Sequence, residues 1–262
     1  MTTTIALAGK GGVGKTTIAA MIIKYLAQTQ RGAILAIDAD PSSNLNMVLG
    51  LDLEWTVGDI REGLLDKVKE SLTAGGAAMG ALDGGLTKRE YLDYEVRAAV
   101  SEGSRFDLIA MGRSEGPGCY CAVNHNLREV VDSISKNYRY VVIDNEAGME
   151  HLSRRTTRDV EVLLVVSDAT QRGIVAAERI ASFRHELDIN INAAYLVLNN
   201  VPGGVIPAPL QARADQLDLP LLGAVPADEE LAEFEFSGRP LVELGDDSPV
   251  YQAVAAMMAR IL

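Results

Sequence analysis

The feature that most constrains this chain is a glycine-rich stretch at residues 9–17, with the sequence GKGGVGKTT. It directly follows the apolar run IALA at residues 5–8 and precedes a segment with helical composition at residues 18–26. A strand that enters a glycine turn and continues into a helix is the order that a phosphate-binding P-loop needs. Glycines let backbone N–H groups approach an anion, and the helix N-terminus favours negative charge. The stretch therefore predicts a nucleotide-phosphate site.

The residue types of the loop indicate how it would bind a nucleotide. In a P-loop the lysine of the GK[ST] ending reaches the β- and γ-phosphates, and the following hydroxyl is a ligand of Mg²⁺. Lys15 and Thr16 occupy these places. We therefore expect ATP or ADP with Mg²⁺ as the cofactors. The expected nucleotide-binding residues are Gly11, Gly12, Val13, Gly14, Lys15, Thr16 and Thr17.

Charge and cysteine content narrow the classes of partner. The chain has 262 residues, a formal net charge of −12 and a pI of about 4.7. An acidic chain is a poor non-specific binder of nucleic acids and of anionic membranes. The sequence shows no signal peptide and no apolar run that could cross a bilayer, and its two cysteines are no disulfide framework. We expect one domain over residues 1–262, located in the cytoplasm, with no nucleic-acid or membrane partner.

Strand and helix patterns alternate along the chain, which is typical of a parallel sheet covered on both faces. The expected fold is α/β: a doubly wound, mostly parallel sheet of about seven strands with helices on both faces. Strands are predicted at residues 5–8, 33–37, 106–111, 140–144, 161–166, 194–198 and 221–225. Helices are predicted at residues 18–26, 56–72, 87–100, 122–137, 171–187 and 249–262.

Two aspartates follow the second predicted strand. Asp38 and Asp40 flank one alanine directly after the apolar run at residues 33–37. Open α/β sheets bind ligands at the carboxyl ends of their strands, so these carboxylates are expected near the phosphates. A simple helix cap is the alternative explanation for such a pair.

The two cysteines, Cys119 and Cys121, lie in a turn-rich segment after the strand at residues 106–111. On extended chain, side chains at i and i+2 point to the same side, so two thiolates could hold one soft metal ion. Two ligands do not complete a metal shell, but a two-fold dimer would supply four. Two structural, half-buried thiols are the alternative. His125 is the only histidine close to the pair in sequence.

The P-loop carries a second lysine, Lys10, directly after Gly9. With this second lysine, the loop resembles the deviant Walker A signature of a group of ATPases. That group includes the nitrogenase iron protein, septum-positioning and plasmid-partition ATPases, and metal-cofactor maturation ATPases. The resemblance implies a homodimer in which Lys10 reaches the partner's nucleotide. It also implies that Asp40 orients the attacking water, that Asp38 helps to hold the Mg²⁺ shell, and that Asn44 supports this loop. The implied catalytic residues are Lys10, Lys15 and Asp40.

A longer block narrows the resemblance. GRSEGPGCYCAVNHNLREV at residues 112–130, together with YVVIDNEAGMEH at residues 140–151, is similar to the nickel-insertion accessory ATPases of carbon monoxide dehydrogenase (CooC type) and their acetyl-CoA synthase relatives. The resemblance implies that Cys119 and Cys121 hold Ni²⁺, or Zn²⁺, across the dimer and that the client is one of those enzymes. Asp144 would hold a Mg²⁺-bound water and Gly148 would let the following loop move.

The same resemblance implies adenine contacts at two later strand ends. Relatives use an asparagine at the place of Asn199 to bind the base, with Asn200 as the second choice here. Pro226 and Asp228 resemble the adenine-flanking loop after the last strand. Ordinary turn chemistry at strand ends is the alternative for these residues. No role is assigned to Glu146 or Glu150.

Two other functions remain open from the sequence. An electron-donating ATPase could hold a [4Fe–4S] cluster on the same four thiolates, although the nitrogenase iron protein takes its cysteines from separated segments. A metal-free positioning or partition ATPase is the second alternative. The acidic charge and a tail at residues 249–262 whose only basic residue is Arg260 argue against it.

Overall fold

The computed structural model describes residues 2–30, 32–73, 87–113, 121–146, 159–183 and 190–262. Their strands form a sheet of eight strands in the order β3-β4-β2-β5-β1-β6-β7-β8. The strands are β1 Thr3–Gly9, β2 Ile34–Asp38, β3 Ser101–Glu102, β4 Asp107–Ala110, β5 Tyr140–Asp144, β6 Asp159–Asp168, β7 Asn190–Val201 and β8 Leu221–Pro226.

The pairing confirms the predicted fold class with one small difference. Neighbouring strands pair in parallel, apart from β3, which pairs antiparallel with β4 at the edge of the sheet. The sequence predicts about seven strands, and β3 is the additional one. With only two residues, β3 is too short to produce a hydrophobic pattern.

Nine helices flank the sheet in the described part of the chain. They are α1 Lys15–Thr29, α2 Leu45–Leu49, α3 Val57–Thr73, α4 Lys88–Ala98, α5 Cys121–Ser135, α6 Gln171–Phe183, α7 Ala208–Ala214, α8 Glu229–Ser237 and α9 Pro249–Ile261. Two 3-10 turns add Pro202–Gly204 and Leu241–Glu243. The short helices α2, α7 and α8 are not predicted by the sequence pattern, because each offers few repeats of the helical period.

The sheet separates two hydrophobic cores, and the central strand β1 contributes to both. Ile5 and Leu7 pack with α1, α2, α8 and α9, whereas Ala6 and Ala8 pack with the helices on the opposite face. This alternation along a strand buried on both faces explains why the run IALA is apolar throughout. The resulting three layers hold β1, and with it the P-loop, at the centre of the molecule.

The last helix, which the sequence predicts at residues 249–262, docks against α1. Val250, Val254 and Met257 of α9 are buried in the core shared with α1. Lys24 of α1 is also buried there, where its ammonium donates to the carbonyl of Leu244 and lies 2.9 Å from Asp246 Oδ1. These contacts fix the end of the chain against the helix that begins in the P-loop.

Parallel strands bring the predicted site residues to one edge of the sheet. The P-loop follows β1, and Asp38, Asp144 and Pro226 are the last residues of β2, β5 and β8. Among the residues that are described, no helix is long and apolar enough to cross a membrane. The carboxyl edge of the sheet therefore carries the candidate site.

Candidate nucleotide site

The P-loop has the backbone geometry that an anion site needs. Gly12 and Gly14 have φ values of 78° and 86°, a region that favours glycine. A Cβ atom on Gly14 would lie 2.2 Å from Asn199 Nδ2. Gly14 is also the N-cap of α1 and has no side chain to cap the helix. The N–H groups of the first turn are thus left for a ligand.

Lys15 lies over the loop as a buried cation. Its Nζ donates to the carbonyl oxygens of Gly9 at 3.4 Å and Lys10 at 3.2 Å. Burial lowers the pKa of Lys15, while the charges of Asp144, Asp40 and Glu146 act in the opposite direction. These two carbonyl contacts are long, so phosphate oxygens can replace them with stronger charge-assisted bonds.

Thr16 and Asp144, which the P-loop motif and the family resemblance assign to the Mg²⁺ site, meet at the start of α1 and the end of β5. Thr16 Oγ1 donates to Asp144 Oδ2 at 2.6 Å, and Asp144 Oδ1 is buried without a hydrogen-bond partner. Burial raises the pKa of Asp144 to about 7, and the charge of Asp38 adds to this effect. A hydroxyl beside an unsatisfied carboxylate oxygen fits the oxygen ligands and water-mediated contacts that Mg²⁺ prefers.

Asp38 organises the loop that follows β2. Its Oδ1 accepts from the Asp40 backbone at 3.0 Å and its Oδ2 accepts from the Leu45 backbone at 2.8 Å. It is the register partner of Asp144 on the neighbouring strand, and burial raises its pKa to about 6. Asp38 therefore both caps the turn before α2 and adds a carboxylate beside Asp144.

Asp40 and Asn44 lie on the outer part of this loop. Asp40 Oδ1 accepts from the Ser42 backbone at 2.9 Å and from the Ser42 hydroxyl. Asn44 Nδ2 donates to the same hydroxyl oxygen at 3.3 Å. Asp40 is only partly buried, so its carboxylate remains accessible to water. The supporting place expected for Asn44 agrees with this geometry, and the catalytic role of Asp40 stays a prediction.

Lys10 points away from this cluster. Its side chain is exposed and lines a cavity with residues of α6. The two lysines of the P-loop therefore have separate surroundings: Lys15 faces the carboxylates and Lys10 faces the surface.

A second part of the site lies beside the P-loop at the ends of β7 and β8. A cavity of about 340 Å³ is bounded by Gly12 to Gly14 and by the predicted residues Asn199, Asn200, Pro226 and Asp228. Asn199 Nδ2 donates to the carbonyl oxygen of Val13 at 2.8 Å. Asn199 thus joins this cavity to the P-loop, and its contact with adenine stays a prediction.

Asp228 has a structural role in the wall of this cavity. Its Oδ1 accepts from the backbones of Glu230 and Leu231 as the N-cap of α8, and its Oδ2 accepts from the Ser248 hydroxyl at 2.7 Å. Burial acts to raise its pKa, but these hydrogen bonds prevail and lower it. Both carboxylate oxygens are engaged, so Asp228 shapes the wall by fixing α8.

The structure adds residues that the sequence does not predict. Leu231, Ala232 and Glu235 of α8 line the cavity, as does Asp168 at the end of β6. Glu235 Oε1 accepts from the hydroxyl of Thr17 at 3.1 Å. Only Asp168 had a usable signal in the sequence, because it follows a predicted strand at the ligand-binding edge.

The segment that leads to the cysteines contacts α3 at its start, and its next residues, 114–120, lie outside the described part of the chain. Gly58 of α3 donates to the carbonyl of Met111 at 3.0 Å, and a Cβ on Gly58 would lie 2.3 Å from the carbonyl oxygen of Arg113. Cys121 is the first residue of α5 rather than part of an extended segment. Cys119, Gly148 and Glu150 lie outside the described residues.

The described residues contain no complete set of metal ligands of the types His, Cys, Asp and Glu. No group of three or more such side chains there could hold a metal ion. His125 has an exposed side chain whose Nε2 lies 3.4 Å from Glu129 Oε1 on the same helix. The predicted cysteine site is not tested by these residues.

Two known proteins with similar sequences support a nucleotide site in this chain. An uncharacterized ATP-binding protein of Methanocaldococcus jannaschii is 41% identical over 258 residues, which cover 98% of each chain. The carbon monoxide dehydrogenase accessory protein CooC of Rhodospirillum rubrum is 29% identical over 262 residues, with 98% of this chain and 95% of that protein covered.

A solved structure and a protein-family model also match this chain. The septum site-determining protein MinD of Pyrococcus horikoshii, complexed with Mg-ADP, has a TM-score of 0.68 at 21% identity and covers 100% of this chain and 96% of its own. That likeness shows the fold. With the ATP-binding relatives, the P-loop makes this chain an ATPase that uses Mg²⁺ and nucleotide. Because the model of the CobQ/CobB/MinD/ParA nucleotide binding domain matches residues 4–241, the chain belongs to that family.

Proposed function

We propose that this protein is a dimerising ATPase that delivers Ni²⁺ to the nickel–iron–sulfur site of carbon monoxide dehydrogenase or acetyl-CoA synthase. The observation that supports it most is the pair Cys119 and Cys121, in a chain that is 29% identical to CooC over 98% of its length. Cys121 begins a helix on the strand-end side of β4, the same edge as the P-loop. The proposed metal site and the nucleotide site would therefore lie on one edge of the sheet.

ATP hydrolysis would follow from the geometry of the phosphate side. Lys15 would bind the β- and γ-phosphates, while Thr16 and Asp144 would hold the magnesium site. When bound, Mg²⁺ neutralises the charge that develops on the phosphates. Asp40, accessible on the loop after β2, would orient the attacking water.

Dimer formation would couple the two activities. Each chain supplies two thiolates, so one metal ion would find four ligands only between two chains. Lys10 would act at the interface, since its side chain is exposed while Lys15 is turned towards the carboxylates. Nucleotide state would shift the monomer–dimer equilibrium and so the completeness of the metal shell. The anchored residues Met111 and Arg113 would keep the start of the cysteine segment in place.

Metal stoichiometry tests this proposal. Equilibrium dialysis against a competing chelator is expected to show one Ni²⁺ or Zn²⁺ per two subunits, with weaker binding as the pH falls because both thiols must ionise. Cys119→Ser and Cys121→Ser should each remove tight metal binding and leave ATP binding unchanged. His125→Ala is the matched control, because its side chain is exposed and on the same helix as Cys121.

Several outcomes would contradict the proposal. One metal ion per monomer, or full affinity in the Cys119→Ser/Cys121→Ser variant, would exclude a shared thiolate site. The visible absorbance of a [4Fe–4S] cluster after anaerobic purification would favour an electron donor instead. Zinc in the purified dimer would not contradict a nickel role, because thiolates bind both ions.

A positioning ATPase is the second candidate function. It is favoured by relatives named septum site-determining protein MinD, such as the one of Synechocystis, 26% identical over 91% of this chain. Against it stand the net charge of −12 and the tail helix α9, whose only basic side chain, Arg260, donates to the Leu222 carbonyl. ATP-dependent sedimentation with anionic liposomes or with DNA would support this candidate, and its absence would remove it.

A further inference from the structure

A groove on α6 combines an apolar floor with cationic side chains. It encloses about 560 Å³ and is lined by Lys10, Arg172, Val175, Ala176 and Arg179. Arg172, Val175 and Arg179 share one exposed helix face, at positions i, i+3 and i+7. Within the part of the chain that the structure describes, none of the three cations forms an ion pair.

The helix α8 carries the opposite pattern. Glu229, Glu233 and Phe236 lie at positions i, i+4 and i+7, so they share one face of the helix. Phe236 is 96% exposed. Neither Glu229 nor Glu233 pairs with a cation among the described residues. This face is distinct from the one that carries Glu235 into the nucleotide cavity.

Both faces belong to the carboxyl edge of the sheet. The α6 groove begins shortly after β6 and includes Lys10 of the P-loop. The helix α8 begins shortly after β8 and reaches the P-loop helix, where Glu235 accepts from Thr17 at 3.1 Å. Each face runs from position i to position i+7 of its helix, a length of about 10 Å at 1.5 Å per residue. The two faces therefore have similar lengths and opposite charges.

We propose that α8 of one copy docks into the α6 groove of a second copy, and that the contact is reciprocal. The inference rests on the ATP-driven dimer of the proposed function. Two chains of net charge −12 repel each other, so their association needs local pairs of opposite charge. Arg172 and Arg179 supply the positive side, and Glu229 and Glu233 supply the negative side. Phe236 fills the apolar floor at Val175 and Ala176.

This interface would sense the nucleotide directly. The helix α8 uses Leu231, Ala232 and Glu235 to line the cavity beside the P-loop. Its docking face lies on the same rigid helix, so a nucleotide that orders the cavity wall also orders the docking face. Lys10 also lines the groove. One chain's second lysine would thus be brought towards the helix that borders the partner's nucleotide.

Two charge-reversed variants test the contact when they are mixed. Sedimentation velocity with a non-hydrolysable ATP analogue measures the dimer dissociation constant. Arg172→Glu/Arg179→Glu and Glu229→Arg/Glu233→Arg should each dimerise at least about tenfold more weakly, because both reciprocal contacts become repulsive. In a mixture of the two variants both contacts of the heterodimer are attractive again. The mixture should therefore regain a dimer of near wild-type affinity.

A control variant separates this contact from net charge. Arg89→Glu/Arg97→Glu makes the same change of net charge as Arg172→Glu/Arg179→Glu, but on α4, which packs against α5. It should dimerise like the wild type, apart from the weakening that any equal increase in net negative charge would cause. A fluorescent ATP analogue should bind all monomers equally, since none of the changed residues lines the nucleotide cavity. Far-UV circular dichroism would verify that every variant folds.

The outcomes distinguish this interface from the function on which it rests. Wild-type affinity in either variant, or weakening without recovery in the mixture, would overturn the docking of α8 and leave the metal proposal standing. Recovery in the mixture together with one metal per monomer would support the interface and remove the shared thiolate site. No wild-type dimer with either the analogue or Ni²⁺ would overturn both.

Discussion

The two halves of the nucleotide site are built in different ways. The phosphate half lies at the ends of the central strands β1, β2 and β5, and its charged groups Lys15, Asp38 and Asp144 are buried. The base half lies at β7 and β8, towards one edge of the sheet, in an open cavity. Burial strengthens electrostatic interactions because the local dielectric is low. The phosphate half is therefore suited to tight nucleotide binding and to hydrolysis, and the base half is suited to selecting the base.

A hydrogen bond to the backbone of the P-loop joins the two halves. Asn199 Nδ2 donates to the carbonyl of Val13, and the absence of a side chain on Gly14 leaves room for that amide. The comparison leads to a ranking: changes in the phosphate half should have large effects on binding or hydrolysis, and changes in the base half should have smaller ones.

The largest effect is expected from Lys15→Ala. Removing this cation takes away the charge-assisted bonds to the phosphates, so ATP affinity should fall by about 100-fold or more. Isothermal titration calorimetry measures it, and Lys10→Ala is the matched control from the same loop. Lys10→Ala should bind nucleotide nearly normally, because Lys10 does not face the carboxylate cluster. Equal losses in both variants would contradict the separation of the two lysines.

The next effect concerns chemistry. Asp40→Ala should bind ATP within about threefold of the wild type and hydrolyse it about 100-fold more slowly, since a residue that orients water contributes to the transition state. Asn44→Ala is the control, because it loses only a contact with the Ser42 hydroxyl on the same loop. Phosphate release under single-turnover conditions gives the rate. A wild-type rate in Asp40→Ala would show that another group orients the water.

The same contrast explains what the sequence could predict. The phosphate half is encoded by a local motif and by strand ends, so the place of Thr16 followed from the motif and that of Asp144 from the family resemblance of the strand that it ends. The base half depends on contacts between distant segments. Glu235 lies 218 residues after Thr17, on a helix that the sequence pattern did not reveal. Asp228 was predicted as an adenine neighbour, but its N-cap role became visible only with α8 in place.

In the base half, Asn199→Ala should weaken ATP binding by about fivefold. It loses the hydrogen bond to Val13 and so loosens the P-loop, at a cost of about 1 kcal/mol. Asn200→Gly is the matched control, because Asn200 has a φ of 54°, which glycine adopts easily. Calorimetry with ATP and GTP separates two roles of Asn199. Equal losses for both nucleotides would indicate support of the loop alone, and a greater loss for ATP would add a contact with adenine.

The smallest effect is on stability as a function of pH, and it differs in sign between the halves. Burial raises the pKa of Asp144 to about 7 and that of Asp38 to about 6. Both carboxyls titrate near pH 4 in an unfolded chain, roughly two to three units lower. Between these values the folded protein binds more protons than the unfolded chain, so its free energy of unfolding should fall as the pH rises. Asp228 has a lowered pKa, so its contribution is present at neutral pH and is lost on acidification.

We therefore expect the nucleotide-free protein in EDTA to become less stable, with a falling Tm, as the pH rises from 4.5 to 8. Scanning calorimetry across this range measures it. Asp144→Asn should flatten the decline, because an amide does not ionise, whereas Asp228→Asn should leave the decline in place. Saturating Mg-ATP should reverse the trend, since the cation and its phosphates favour the ionised carboxylates. A decline that persists unchanged in Asp144→Asn would show that the buried carboxylates of the phosphate half do not cause it.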